Sequence, residues 1–293
     1  MPTETFTYSS DHNLQTVTVT TLSEPPPKGY WLILIHGGAW HDPDITSLNF
    51  ANAAESLLTT SPTYTSTQRH IAAFASISYR LSPHLHHPQD RTSTNPREYR
   101  GATHPDHIND VQTAIAFLQG KYGFGERYIL VGHSCGGTLA FQSVMGRFNA
   151  GVAHGPVAVV GVAGIYDLRL LRDTFKGIPA YQEIVEGAFG ADETVWDAVS
   201  PAVVPGEDGV EGGWKAGRLA VLAYSSGDSL VDAKQWEGMR AALLDGWVKC
   251  QDVKRSVEAL SLKGEHDECW QKGEELARAI AFTIEKLQKE TSA

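Results

Sequence analysis

Cysteine is scarce in this chain: Cys135, Cys250 and Cys269 are odd in number and lack metal-ligand spacing. Three such residues make no disulfide framework, and their pattern suits a reducing compartment. Long basic runs are also missing. With 34 acidic against 24 basic residues, the formal charge of −10 argues against nucleic acid or an anionic membrane surface as the main partner. The N-terminus, Met1-Pro-Thr-Glu-Thr-Phe-Thr-Tyr8, has neither a basic nor an apolar signal region, so no secretory signal is expected. The most apolar stretch, Val157 to Tyr166, is far too short to span a bilayer. The expectation is a soluble protein of the cytoplasm.

What is present is enough apolar material for a large core. The chain has 293 residues, 42% of them hydrophobic, which can bury a core without disulfides or metals. Phe6-Thr-Tyr8 and Leu14-Gln-Thr-Val-Thr-Val-Thr20 alternate and read as a hairpin. After the breaker Glu24-Pro-Pro-Pro-Lys-Gly29, Tyr30–Ile35 is apolar throughout, as expected of a strand covered on both faces. Similar runs are Ile71–Ser78, Tyr128–Val131, Val157–Val162 and Arg218–Ser225. Helical spacing appears at Ile108, Val111, Ile115 and Leu118, from Gly137 to Phe148, and from Glu274 to Leu287. Strands alternating with helices predict one α/β domain over 1–293, with a mostly parallel sheet covered on both sides. Residues 82–107, rich in Pro, His and Arg, are too long for an ordinary connection and read as a lid or a surface insertion. Pro205–Gly217 reads as a plain surface loop.

The chemistry is concentrated where a buried strand meets a helix. Tyr128-Ile-Leu-Val131 runs straight into Gly132-His-Ser-Cys-Gly136, and helical spacing follows at once. That is the strand–turn–helix context a nucleophile elbow of the α/β-hydrolase fold requires. A serine on so tight a turn needs small residues two before and two after it. Its hydroxyl is then presented above the sheet, near the positive end of the next helix. Ser134 is therefore the candidate nucleophile, and Cys135 reads as a small neighbour whose backbone N–H is needed. His36-Gly37-Gly38-Ala39-Trp40 leaves the strand ending at Ile35. In such a fold the loop after that strand supplies backbone N–H groups to an oxyanion hole. Gly37, Gly38 and Cys135 are the candidate donors.

Chain order in this fold runs serine, then acid, then histidine. Asp228, in Ser226-Gly-Asp-Ser229, leaves the strand ending near Ser225, where an orienting carboxylate belongs; Asp232, one turn later, is the alternative. His266 is the single histidine beyond residue 154 and lies in the polar segment Lys263-Gly-Glu-His-Asp-Glu-Cys269. Order and elimination both select it as the base. His84, His86, His87, His104 and His107 crowd one segment, but their spacing matches no recognised ligand pattern, so no metal is expected.

With these residues in place, the sequence resembles the kynurenine formamidases, the arylformamidases of tryptophan breakdown. The resemblance rests on His36-Gly-Gly-Ala-Trp40, an H-G-G-x-W signature, with Ser78-Tyr-Arg-Leu-Ser-Pro83, Gly132-His-Ser-Cys-Gly136 and Ala163-Gly-Ile-Tyr-Asp-Leu168. It covers most of the chain. It implies an α/β-hydrolase that converts N-formyl-L-kynurenine to L-kynurenine and formate without a cofactor. It also implies a narrow acyl pocket, with Trp40 and Tyr166 as candidate walls for the leaving group. A general carboxylesterase on small acyl esters would use the same three residues, and a non-catalytic binding module would not need them. A small-molecule substrate is the expected partner; the sequence leaves oligomeric state open, a homodimer included.

Overall fold

The structure is a computed structural model that describes residues 1–22, 24–26, 28–148, 152–249 and 254–292. Its centre is an eight-stranded sheet in the order β1-β2-β4-β3-β5-β6-β7-β8. The strands are β1 Thr3–Thr7, β2 Thr16–Thr21, β3 Tyr30–Ile35, β4 Ile71–Ile77, β5 Tyr128–His133, β6 Ala158–Val162, β7 Leu219–Ser225 and β8 Ser256–Leu262. β1 pairs antiparallel with β2, and β2 with β4; every other neighbouring pair is parallel. The apolar runs are therefore strands as expected, and the fold is that of an α/β-hydrolase.

Alternation along each strand divides the core into two layers. Ile33 and Ile35 of β3, with Leu130 of β5, face one side; Leu32, Leu34, Ile129 and Val131 face the other. The first layer is covered by α3 Asp106–Tyr122 and α4 Cys135–Gln142, through Ile108, Val111, Ile115, Leu139 and Phe141. The second is covered by α1 Ser47–Thr60 and the last helix, Glu274–Ser292, through Phe50, Leu58, Leu276, Ile280 and Ile284. Each such side chain, wholly withdrawn from water, contributes about 1.5–3 kcal/mol. Local chemistry sets the helix ends. Thr46 and Asn49 close a capping box on α1, and Gly123, left-handed at φ 62°, ends α3. A short helix, α2 Thr65–Gln68, precedes β4.

Between β6 and β7 lie α5 Leu168–Thr174, α6 Pro179–Phe189, α7 Glu193–Val199 and the short α8 Val210–Gly213. Asp167 and Asp192 cap α5 and α7 with their side chains, and Pro179 stands in the first turn of α6, where its missing N–H costs nothing. α9 Lys234–Ala242 follows β7; α10 Glu268–Gln271 and α11 Glu274–Ser292 follow β8. No helix among the described residues is long and apolar enough to cross a membrane.

Two expectations change on contact with the structure. The helix expected over Gly137–Phe148 starts at Cys135 and stops at Gln142, with a 3-10 turn at Gly146–Phe148. Pro205–Gly217 is not a plain surface loop: it carries α8 and the buried Trp214, whose ring stacks on Trp247 at 4.3 Å and whose Nε1 donates to the Pro156 carbonyl at 2.7 Å. Residues 82–107, for which the sequence leaves a lid or a surface insertion open, are tied down by hydrogen bonds at several points. The Asn13 N–H donates to the Arg97 carbonyl at 2.8 Å, and the His104 N–H to the Ala188 carbonyl at 2.7 Å. Ser82 Oγ donates to the Ala102 carbonyl at 2.8 Å. The insertion's base is fixed by Arg80, bonded to the buried Asp110 at 2.8 Å, which also accepts from Gln15 at 2.8 Å. Cys135 and Cys269 are buried and unbridged; Cys250 lies outside the described residues.

Candidate active site

Parallel strands aligned in one sense put the loops that leave them along a single edge of the sheet, and ligands bind there in open α/β folds. The loops after β3, β5, β6, β7 and β8 carry Gly38, Ser134, Ile165, Asp228 and His266 respectively. A cavity of about 370 Å³ opens at this edge, lined by Ser134, His266, Gly38 and Ala39 among others.

Ser134 stands between β5 and α4 with φ 52° and ψ −122°, a backbone conformation that costs a non-glycine residue energy. Its neighbours make that turn geometrically feasible. A Cβ on Gly132 would lie 2.1 Å from the Gly136 carbonyl oxygen, and one on Gly136 would lie 2.3 Å from that of Ile35. The turn is so closed that both glycines touch backbone where any side chain would stand. Ser134 N–H donates to the Val162 carbonyl at 2.9 Å, while its own carbonyl accepts from Gly137 at 2.9 Å. The hydroxyl is thus held at the head of α4, where the first N–H groups have no partner within the helix.

The loop after β3 is braced from below. Tyr79 Oη donates to the His36 carbonyl at 3.0 Å, and its ring stacks on His36 at 4.4 Å. The Trp40 N–H donates to Cys135 Sγ at 3.3 Å, which ties this loop to the first residue of α4. His41 and Asp42 both donate to the Gly38 carbonyl, at 2.9 and 2.8 Å. Gly38, at φ 93°, lines the cavity, whereas Gly37 packs behind it: a Cβ there would lie 2.6 Å from His133 Nδ1 and 3.2 Å from Ser134 Cβ. Burial pushes the Cys135 thiol up to about 11, so it is neutral near pH 7 and serves as an acceptor beneath the loop.

Asp228 and His266 meet across the turns that follow β7 and β8. Asp228 Oδ2 accepts from His266 Nδ1 at 2.8 Å, and both side chains are buried. Asp228 Oδ1 accepts two backbone N–H groups, from Leu230 and Val231, each at 2.9 Å. A carboxylate held at both oxygens fixes the imidazole with Nε2 turned away from it. The His266 carbonyl accepts from Cys269 Sγ at 2.8 Å and from His133 Nε2 at 3.1 Å. The His133 ring lies 4.6 Å from that of His266; burial, together with His266, drives it well below the usual histidine range and keeps it neutral. Asp232, the alternative acid, lies just before α9 instead: its Oδ1 accepts from the Lys234 N–H at 2.9 Å.

The remaining cavity wall comes from segments that carry no motif. Ile45, Ile165, Leu171, Ile178, Tyr181 and Ile184 supply much of its apolar surface, together with Leu230 and Val231. α5 and α6 therefore form the wall, and among the described residues nothing from 82–107 lines it. The two residues expected at the wall are elsewhere. Trp40 is fully buried, with its ring edge-on to Phe189 at 5.0 Å; the bond from its own N–H to Cys135 and a φ of 61° turn the side chain into the core. Tyr166 is buried against Phe141 at 5.4 Å, its hydroxyl lying over Gly161 and Gly164, where a Cβ would come within 1.9 and 2.3 Å. Gln235 fixes that orientation by accepting from the Tyr166 and Asp167 N–H groups at 2.7 and 2.9 Å.

For a metal ion, the one suitable group among the described residues is His133, His266 and Asp267, whose donor atoms lie within 4.8 Å of one another. His133 Nε2 and His266 Nδ1 are committed to the His266 carbonyl and to Asp228, which leaves one ring nitrogen on each histidine. The histidines of 84–107 form no such group; His84 instead sits against His41 at 4.1 Å, and His107 is buried with Nε2 at 3.0 Å from Ser82 Oγ.

Comparison with known proteins agrees with this architecture. The chain matches the alpha/beta hydrolase family model over residues 32–284. It is 43% identical over 269 residues to the kynurenine formamidase-like hydrolase fscH of Fusarium equiseti, covering 89% of this chain and 84% of that one. It is 35% identical over 273 residues to the kynurenine formamidase avaC of Aspergillus versicolor, covering 87% and 88%. Among solved structures, esterase B of Lactobacillus rhamnosis superposes with a TM-score of 0.65 at 17% identity, covering 99% of this chain and 88% of that one. An esterase/lipase from an uncultured bacterium gives 0.63 at 16%, covering 100% and 85%.

The closed turn yields a sharp stability prediction. Gly132→Ala, which would force a methyl group to 2.1 Å from a carbonyl oxygen, should abolish soluble expression or lower Tm by more than about 10 °C. Gly120→Ala, in α3 with nothing within 4 Å of the new Cβ, should hold or raise Tm. Thermal melts of the two variants check this, and equal stability would contradict it.

Proposed function

Because the chain belongs to the α/β-hydrolase family, and within it to the kynurenine formamidases, we propose that it deformylates N-formyl-L-kynurenine or a closely related formanilide through a Ser134–His266–Asp228 triad. The observation that carries the substrate assignment is the 43% identity over 89% of the chain to a kynurenine formamidase-like hydrolase. Support for the mechanism comes from Ser134 and His266 facing one cavity and from the 2.8 Å bond between His266 and Asp228.

In this reading Ser134 Oγ attacks the formyl carbon while His266 Nε2 takes the hydroxyl proton. Asp228 keeps Nδ1 protonated and stabilises the imidazolium. The tetrahedral oxyanion is received by the backbone N–H groups of Gly38 and Cys135, with Gly37 packed behind them. Each such donor is worth about 3 kcal/mol of barrier. His266 then passes its proton to the aniline nitrogen as the C–N bond breaks, releasing the amine and leaving a formyl ester on Ser134. Water, deprotonated by His266, attacks that ester; formate leaves and Ser134 recovers its proton. No cofactor takes part. The apolar wall from α5 and α6 suits an aromatic leaving group, and the thiol of Cys135, neutral and buried, is excluded as the nucleophile.

Two measurements test this reading. kcat/KM for N-formyl-L-kynurenine should exceed that for a short aryl ester, and Ser134→Ala should lower it at least about a thousandfold. Ester turnover without formanilide turnover would leave a general carboxylesterase instead. Asp228→Asn, which keeps the shape but presents the wrong partner to Nδ1, should lower kcat about 10⁴-fold with little change in KM. A loss below tenfold would remove Asp228 from the mechanism.

A further inference from the structure

The cavity is unevenly equipped for a zwitterionic substrate. Among the described residues, the formally charged side chains on its wall are two carboxylates, Asp42 and Asp267, and no lysine or arginine lines it. Asp42 Oδ1 accepts from the Asp44 N–H at 2.9 Å and Asp267 Oδ1 from Trp270 Nε1 at 3.0 Å; among the described residues neither carboxylate is in an ion pair. Of the nearby cations, Lys176 is exposed two residues before Ile178 and lies outside the lining, and two others are paired. Lys272 pairs with Glu268 at 3.6 Å, and Arg172, beside the wall residue Leu171, pairs with Glu193 and Asp173, each at 2.6 Å.

Hydrogen-bond donors on the wall are committed as well. Tyr181 Oη donates to the Leu230 carbonyl at 2.8 Å, and Ser229 Oγ donates to Glu265 at 2.8 Å. The His41 ring bonds the Pro83 carbonyl, and burial keeps it uncharged near pH 7, with its pKa lowered to about 4. The side-chain donors left over are Ser134 and His266, which the proposed reaction consumes. A substrate carboxylate in this cavity would lose water, gain no side-chain partner and face two like charges. An ammonium group would lose water and gain two carboxylates.

We propose that this cavity selects formanilides whose side chain ends in a free amine and carries no free carboxylate, the acid having been removed or masked before the formanilide arrives. The inference rests on the formamidase reading and narrows its substrate class. Asp42 is the specificity-determining residue best suited to a test, because Asp267 lies within 4.8 Å of the His266 donor atom and its replacement would disturb the base. The reaction itself is unchanged: the formyl C–N bond is cleaved by water to give formate and the free aniline.

The experiment compares kcat/KM for three formanilides on the same ring: N-formyl-L-kynurenine, its decarboxylated amine, and a neutral analogue ending in a methyl ketone. The amine should exceed the amino acid by at least about tenfold, with the neutral compound between them. Asp42→Asn, whose side-chain oxygen can still accept from Asp44, should narrow the amine-to-amino-acid ratio at least about threefold. Equal rates, or a preference for the amino acid, would overturn the inference while leaving the formamidase reading intact. Carboxylate recognition would then belong to the exposed first turn of α6 and Lys176 beside it. An unchanged ratio in Asp42→Asn would also overturn it. Turnover of aryl esters with none of the three formanilides would overturn both readings.

Discussion

The structure depends on one tight crossing, where the backbone of the turn at Ser134 meets the backbone leaving β3 with no space for a side chain between them. Gly136 is the contact point, where the Ile35 and His36 carbonyls press from the neighbouring strand, and Gly132 closes the turn against Gly136 itself. The strain of a serine at φ 52° persists because the surrounding sheet leaves the chain no other path. From that crossing the remaining geometry follows. Gly38 and the head of α4 are brought to one spot, and Cys135 Sγ, accepting from Trp40, holds the two segments together. On the far side His133, the residue just before the serine, reaches the His266 carbonyl, so the turn also fixes the segment that bears the imidazole.

This explains why the residues of the turn were legible in the sequence. A buried strand, two glycines two residues either side of a serine, and a helix with no intervening loop form a pattern set by steric exclusion. The order of Asp228 and His266 along the chain follows from the strand order of the sheet. Asp228 leaves β7 and His266 leaves β8, the two strands beyond β6 in the sheet order. Strand runs were legible for a similar reason, since a strand covered on both faces has few polar positions.

The cavity wall was not legible, and the reason is physical. An amphipathic stretch such as α6 announces that one of its faces is apolar, but not whether that face meets the core or an open cavity. Ile178, Tyr181 and Ile184 have no signature separating them from Val185 and Phe189, which are buried. Aromatic residues next to motifs were misleading for the converse reason. Trp40 and Tyr166 adjoin the right loops, yet the main-chain bonds from Trp40 to Cys135 and from Tyr166 to Gln235 turn both rings inward. Length and composition left residues 82–107 open as a lid or a surface insertion; hydrogen bonds to Asn13 and Ala188 fasten the segment. Trp214 was hidden in a segment of glycine and charge because a single aromatic residue makes no periodicity.

Charge ties the site to chemistry in a way that neither fold nor motif does. The same scaffold serves many reactions, so a serine, a histidine and an aspartate gathered at one sheet edge do not by themselves name a substrate. The cavity wall is apolar across α5 and α6 and anionic at Asp42 and Asp267.

The central claim is that Ser134 is the activated nucleophile of this cavity. Intact-mass and peptide mapping after treatment with a fluorophosphonate probe test it most directly. The account predicts one adduct per chain, on the peptide carrying Ser134, its formation slowed by Asp228→Asn and abolished by Ser134→Ala. No adduct on the folded protein, or one that survives in Ser134→Ala, would contradict it.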